Sequence, residues 1–476
     1  MQAVGPAQPS SLRGLIPGAI LLLVGTLVGL TTIAIGPLAI VPIFGVLFFA
    51  LVVARPEYGI ALFLSTFLMT YPAALQGSGF LTINNALGGI FLILLTYKLY
   101  REEDWWFIYS PELQLLVFIM VIFYLSGRLN GPDVTKLSLL GLQEHGAEGL
   151  RTFITRTTFV VFFINYIRTP GHVRMIYLLA LAFMVVSALT GIQGVLRGGG
   201  LYGYRATTQA GVIASAFNPN RLAMFSILAI AGLWYLMQTL RIPGLSVLVT
   251  PIIGVLALCV FMTASRSGLM GLGVCAAAIV WDEGIDLRKV LSFGMAGVLL
   301  MTLLIQFVPE KSWERITNLP FTGESSELGS SSVERRQYTW EIAIDLFREN
   351  PVLGVGIGNW ELARFLRDPT HSTGAPHSSY LLALVEGGVF CLAGFLALLW
   401  RTWRNLRIAE YYATDPESPL ADLAWVVKAA KVSLLVLVFF SLFADLWQLV
   451  ILFWLVGLSI VMRRLVEESA AGAVVY

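Results

Sequence analysis

Long apolar runs recur along the whole 476-residue chain. They lie at 15–35, 37–54, 57–72, 83–100, 112–129, 153–167, 173–196, 219–240, 245–263, 267–282, 289–308, 378–400, 427–444 and 446–463. A helix needs about 20 such residues to cross a hydrocarbon layer about 30 Å thick. Inside lipid the backbone must satisfy its own hydrogen bonds, and a single apolar segment does so only as a helix. The expected fold is therefore an all-α polytopic membrane protein with about 12–14 transmembrane helices. The shortest runs (57–72, 153–167, 267–282) and the closely joined last pair set the lower bound. Composition agrees: 57% of residues are apolar, 13% are charged and mean hydropathy is +0.79. Soluble domains run at about 45–50% and about 25%.

Several classes drop out at once. No basic patch is interleaved with exposed aromatics, so nucleic acid is not an expected partner. Cys259, Cys275 and Cys391 all sit in apolar runs without C-x-x-C or metal spacing, and read as small buried hydrophobes. No external D-x-D motif or acidic pair at metal-ligand spacing appears, so no metal and no cofactor is expected. The run 15–35 has full span length and no A-x-A cleavage site, which reads as a retained first helix.

Orientation follows from Lys and Arg in the short loops. With Arg13 placed in the cytoplasm, 16 of the 31 basic residues fall on that side. Of the other 15, seven (Lys311, Arg315, Arg335, Arg336, Arg348, Arg364, Arg367) lie in one long polar segment that the rule exempts, so the comparison is 16 against 8. Both termini are then expected in the cytoplasm and the long segment, 309–377, outside. Three regions follow: transmembrane helices over 1–308, an external loop or lid over 309–377, and helices with a cytoplasmic tail over 378–476. The remaining external basic residues are Arg128, Lys136, Arg151, Arg156, Arg197, Arg205, Arg221 and Arg266. Arginine suits planar, bidentate binding of phosphate, and this side of a membrane is normally poor in it.

The long segment has an internal order. Residues Asn318 to Ser330 are rich in Gly, Ser, Pro and Glu, and read as a loop. Ser331 with Glu334 forms a capping-box pattern for a helix over about 332–349, closed by Pro351. Arg336, Trp340, Ala343 and Phe347 share one stripe of that helix, which would face the bundle. Gly354, Gly356 and Gly358 follow at every second position, but Asn359 stands where a dinucleotide-binding loop needs its third glycine, and no βαβ unit surrounds them. They read as a turn whose backbone lies close to the bundle. The segment ends in Pro376-His377-Ser378-Ser379-Tyr380, at the mouth of the next span. Arg266 stands between two spans with almost no loop, and Glu386 lies about two and a half turns into a span, so both are candidates for function or for a buried pairing. Asn218 to Asn220 form a turn that opens a helix. Asn130 to Thr152 read as another external loop.

Arginines, one histidine and an amphipathic helix on one face of a bundle suit transfer of a group from a lipid diphosphate. Arginines would meet the charge that grows on the leaving group. A neutral histidine would take the proton of an attacking hydroxyl. A transporter of lipid-linked glycans is the reading from another class, but paired repeats and broken midplane helices are not apparent.

The motif set resembles the O-antigen ligase/polymerase family of bacterial inner-membrane proteins. The resemblance rests on Asn218-Pro219-Asn220-Arg221-Leu222-Ala223, Ser265-Arg266-Ser267-Gly268 and Arg336-x-x-x-Trp340. It continues through Pro351-x-x-Gly354-x-Gly356-x-Gly358-Asn359, His377-Ser378-Ser379-Tyr380-Leu381 and Glu386-Gly387-Gly388. It covers about 200–465; the first half matches only as a run of spans. It implies a metal-independent, multi-span glycosyltransferase of the GT-C-like kind, working on the periplasmic face of the inner membrane. The donor would be a glycan on undecaprenyl diphosphate, and the acceptor lipid A-core for a ligase or another lipid-linked repeat for a polymerase. The family's base falls on His377 and its diphosphate-binding arginines on Arg266 and Arg336, with Arg205 beside them. Trp340, Asn220 and Glu386 would support the site. The family often has Asn after the histidine; here it is Ser378.

Overall fold

The computed structural model describes residues 49–68, 83–131, 146–198, 205–207, 218–240, 244–284, 302, 308–317, 327–369, 376–446 and 449–472. Expected spans before residue 48 and most of 289–308 lie outside these residues, as does Asn318 to Ser326. The chain divides into two compact units, Met1–Gly59 and Ile60–Tyr476; the second holds everything described below except the first turn of α1.

Helices carry the fold. They are α1 (Pro56–Leu68), α2 (Ile83–Glu102), α3 (Pro111–Leu129), α4 (Gly146–Tyr166), α5 (Pro170–Leu196), α6 (Pro219–Leu240), α7 (Leu245–Met262) and α8 (Arg266–Glu283). There follow α9 (Glu310–Thr317), α10 (Glu327–Glu349), α11 (Trp360–Arg367), α12 (Ser379–Ala413), α13 (Ala424–Phe440) and α14 (Val450–Ala470). No strand occurs among the described residues. Among the described residues six helices are long and apolar enough to cross a membrane: α3, α5, α6, α7, α12 and the segment 421–440 containing α13. The chain is an all-α polytopic membrane protein.

Local chemistry sets the boundaries. Proline opens α3, α5 and α6, where its missing N–H costs nothing and its φ is already helical. The Thr169 hydroxyl accepts the His172 N–H and caps α5. The core gathers around α14, which is buried almost all round, and around α6 and α13. α6 packs on α13, α7 and α5, while α12 packs on α3, α14 and α13. Tyr177 of α5 packs on Trp425 and Trp454, joining α13 and α14. The three cysteines are free and buried, as their apolar surroundings imply.

Three expectations about elements are corrected. α10 begins at Glu327, so Ser331 lies inside the helix and does not cap it. Helix α4 begins at Gly146, which shortens the loop after Asn130. The last two runs end and restart earlier and later than hydropathy alone suggests: α13 stops at Phe440 and α14 starts at Val450. The break between them is irregular backbone in an apolar stretch. Such backbone is tolerated at membrane depth only against protein or a wet cavity.

Candidate functional site

The site is built from the ends of helices. Ser265 N-caps α8, its hydroxyl accepting the Gly268 N–H at 3.0 Å, and this places Arg266 on the first helical residue. The same hydroxyl donates to Asn220 Oδ1 at 2.8 Å, so the Asn218–Ala223 motif and the Ser265–Gly268 motif clasp each other. Gly268 permits it: a Cβ there would stand 2.8 Å from Ala223 Cβ. Arg205 works on the turn just before. It is buried, its Nε donates to Thr263 O at 2.9 Å, and Ala206 N–H donates to Met262 O. Arg266 itself reaches across to α9, where Nε and Nη2 both meet Arg315 O at 3.2 Å. That carbonyl belongs to the C-terminal end of a short helix, a favourable place for a cation.

Arg336 and Trp340 come from α10, which packs on α12. The most buried line of α10 is Thr339, Ile342, Ala343 and Leu346, with Arg336, Trp340 and Phe347 at its half-buried edge. The expected stripe is therefore turned by about one residue. Trp340 uses its polar end: Nε1–H donates to Pro376 O at 2.7 Å, fixing the residue before His377.

His377 sits in the left-handed region at φ 49°, rare for a non-glycine residue. The next two residues bind it to the bundle. Ser378 caps α12. Ser379 N–H donates to Ser441 O at 2.8 Å, its hydroxyl donates to Ala444 O at 2.7 Å, and Leu446 N–H donates back to that hydroxyl at 2.8 Å. These bonds seat the α13–α14 break against the start of α12, and they bring Asp445 to His377: Nδ1 lies 3.4 Å from Asp445 Oδ2. Asp445 Oδ1 is buried without a hydrogen-bond partner. Arg221 Nη2 contacts the Asp445 carbonyl at 3.5 Å.

Charge runs one way in this region. Burial pushes the Arg336 pKa below its ordinary value; the nearby Arg315 charge pushes the same way, Asp445 opposes it, and Arg266 adds a smaller push downward. A guanidinium with cationic neighbours and one acid between them is electrostatically unsatisfied, and an anion relieves it. Arg336, Arg315 and Arg266 together can hold such an anion beside the His377–Asp445 pair.

Glu386 takes a different part. Gly358 N–H donates to its Oε1 at 2.9 Å, Gly356 N–H to its carbonyl at 2.9 Å, and Val355 N–H to Val385 O at 2.8 Å. The glycine loop thus docks on α12 where that helix kinks at Gly388, φ 68°. A Cβ on Gly354 would fall 2.3 Å from Val385 O. The loop's amides are spent on protein carbonyls and on the Glu386 carboxylate, as a close-packed turn requires.

Sequence reasoning missed Asp445, and named Arg221 and Arg315 as external arginines without giving either a place in the site. Asp445 had a signal: it is the one acid in the apolar stretch from Val432 to Gly457. An acid at that depth is a functional candidate by default. Arg315 needed the fold, because only the docking of α9 brings it to Arg266.

Comparison with known proteins meets this geometry from another direction. No curated protein matches the chain. A family model described as O-antigen ligase matches residues 251–396. That interval contains Arg266, Arg336, Trp340, His377 and Glu386, while Arg205, Asn220, Arg221 and Asp445 join the same region from outside it. The matched stretch is narrower than the motif resemblance over about 200–465. Over residues 251–396, which hold α10 and His377, the chain is similar to the O-antigen ligase family.

Proposed function

We propose that the protein transfers a glycan from a lipid diphosphate to an acceptor hydroxyl, with His377 as base. The observation that carries the reading is the His377–Asp445 contact of 3.4 Å beside the arginine group of α8, α9 and α10. A carboxylate at Nδ1 favours the tautomer protonated there, which leaves the lone pair on Nε2. The acceptor oxygen attacks the anomeric carbon as Nε2 takes its proton. The bond from that carbon to the diphosphate oxygen breaks, and the diphosphate leaves with the electron pair. Asp445 stabilises the imidazolium that forms; Arg266, Arg336 and Arg315 stabilise the departing charge. Displacement in one step inverts the anomeric centre, and no metal is needed for leaving-group charge that guanidiniums already meet.

Arg205 serves as a clamp on the turn carrying Arg266 in this scheme, and Asn220 and Trp340 as positioning residues. Glu386 holds the glycine loop. The donor is a glycan on undecaprenyl diphosphate, the acceptor lipid A-core, and the working face the periplasmic side of the inner membrane, with both termini cytoplasmic and 309–377 as lid.

The test is turnover of lipid diphosphate-linked glycan by purified protein in nanodiscs, with the anomeric configuration of the product read by NMR. Unchanged turnover in His377→Ala removes the base; retained configuration removes the single displacement. Gel analysis of a deletion strain separates ligase from polymerase: long unattached chains mark a ligase, short unpolymerised units a polymerase.

A further inference from the structure

The end of the bundle remote from His377 carries a second, unassigned cavity. Arg401 lies 22 residues beyond Ser379 on α12, which at 1.5 Å per residue is about 33 Å along the helix. That is close to the hydrocarbon thickness of a bilayer, so this end meets the opposite interface. A cavity of about 260 Å³ opens there between the turn Trp106–Tyr109, the start of α3, α12 and α14.

Its chemistry is that of an anion site. Arg401, Arg404 and Arg463 line it, together with Trp106 and Tyr109. Two of the guanidiniums are fixed by a single nitrogen each. Arg401 Nε donates to Glu112 Oε1 at 3.0 Å, and Arg463 Nε donates to Glu467 Oε1 at 2.6 Å. Among the described residues their Nη nitrogens have no protein partner, and Arg404 has none at all. Glu112 is no competing ligand site: it is buried, and Ser110 Oγ and Asn405 Nδ2 also donate to it, at 2.9 and 3.0 Å. Three guanidiniums against Glu112 and Glu467 leave one positive charge, the complement of one phosphodiester. Tyr109, 77% exposed, stands at the opening as interfacial aromatics do at the headgroup level. A merely statistical excess of cationic loops would give scattered, convex charge; here the charge converges on a concavity with preset donors.

We propose that this cavity binds the phosphodiester headgroup of an anionic membrane lipid. The site stands whether or not the chain transfers glycans, because it shares no residue with the His377 region.

The test uses the full chain in nanodiscs of phosphatidylcholine alone or with phosphatidylglycerol, read by native mass spectrometry for retained lipid and by thermal unfolding. Wild type should retain one phosphatidylglycerol and melt higher with it. Arg404→Ala removes an exposed, unpaired side chain and should weaken retention about tenfold, the effect of about 1.4 kcal/mol. Arg463→Ala should do the same. Arg407→Ala deletes an equal charge from the same helix outside the cavity and should change nothing. Equal weakening by Arg404→Ala and Arg407→Ala would reduce the effect to diffuse surface charge and overturn the proposal. So would stabilisation by inorganic phosphate in pure phosphatidylcholine equal to that by the lipid, which would make the ligand a free anion.

Discussion

Asp445→Asn isolates the charge that faces His377. Asparagine keeps the volume and an acceptor oxygen, and the Asp445 carbonyl that Arg221 meets is untouched. The interaction between carboxylate and imidazolium is lost, and with it the acid's longer-range pull on Arg221 and Arg336. At 3.4 Å the former is worth about 1.2 kcal/mol in a water-like dielectric and about 4.9 kcal/mol at an effective dielectric of about 20. The His377 side chain is 41% exposed and that of Asp445 19%, so the pair lies between these limits. A value of about 2–3 kcal/mol corresponds to a fall in kcat of roughly 30- to 160-fold. Donor affinity should move the other way or hold still, because the acid is also the one charge that opposes the cationic neighbours of Arg336. The assay is steady-state transfer in nanodiscs with donor and acceptor varied separately. The double variant His377→Ala, Asp445→Asn should be no slower than His377→Ala alone, since the carboxylate acts only through the imidazole. Wild-type kcat in Asp445→Asn, or losses that multiply in the double variant, would refute the pairing.

Arg266→Ala and Arg336→Ala should each raise the donor KM about 10- to 30-fold, the loss of one partly exposed charge-assisted contact, with Lys restoring only part of it; unchanged KM in both would take the diphosphate elsewhere. Trp340→Phe removes the 2.7 Å bond to Pro376 O, worth about 1 kcal/mol, and should lower kcat about fivefold at constant donor KM. Gly354→Ala forces a Cβ to 2.3 Å from Val385 O at φ 69°, which should cost about 2–5 kcal/mol in thermal unfolding. Gly198→Ala, at φ 73° with nothing within 4 Å, should cost only about 1–2 kcal/mol, and equal shifts would deny the close approach. At the remote end, burial tends to raise the Asp104 pKa, but the Trp106 N–H and Arg168 outweigh it and hold the pKa low. Its contribution is present above the unfolded carboxylate range, about pH 4, and is lost as pH falls through the lower folded value. Melting curves of Asp104→Asn should therefore show a weaker acid dependence than wild type.

The polytopic all-α fold could be read from hydropathy because a membrane span is a local property: length and apolarity decide it without knowledge of neighbours. The same locality explains the misplacements. Ser331 and Glu334 have the right spacing for a cap, yet α10 runs through them from Glu327, since a capping pattern is permissive inside a helix as well as at its start. The runs 427–444 and 446–463 look like one hydrophobic tract with a single acid in it. What interrupts them is tertiary: Ser379 reaches over from α12 and takes bonds at Ser441, Ala444 and Leu446. No pattern within the tract announces that partner. Arg266 could be singled out as a candidate because a charge between two spans is in an expensive place; His377 and Arg336 drew notice by position, at the mouth of a span and on the stripe of an amphipathic helix. Asp445 was equally expensive, but hydropathy reads a residue between two spans as a loop and so concealed it.

The backbone at the site gives a last reason to treat these residues as one device. Three non-glycine residues have positive φ among the described residues, and two of them, Ala264 and His377, lie here, at 48° and 49°. Each such residue costs about 1–2 kcal/mol and persists only where its surroundings over-determine it. For Ala264 the restraint comes from Arg205 and Ala206, which hold the two carbonyls just before it. For His377 it comes from Trp340 on one side and Ser379 on the other. The strain thus sits next to Arg266 and on His377 itself, and the residues holding it belong to three separate stretches of chain. Relaxation at either point would carry a guanidinium or an imidazole away from the anion position proposed above. A fold that needed only to span the membrane would have no use for such a restraint; one that must keep a base and its cations in register across separate helices does.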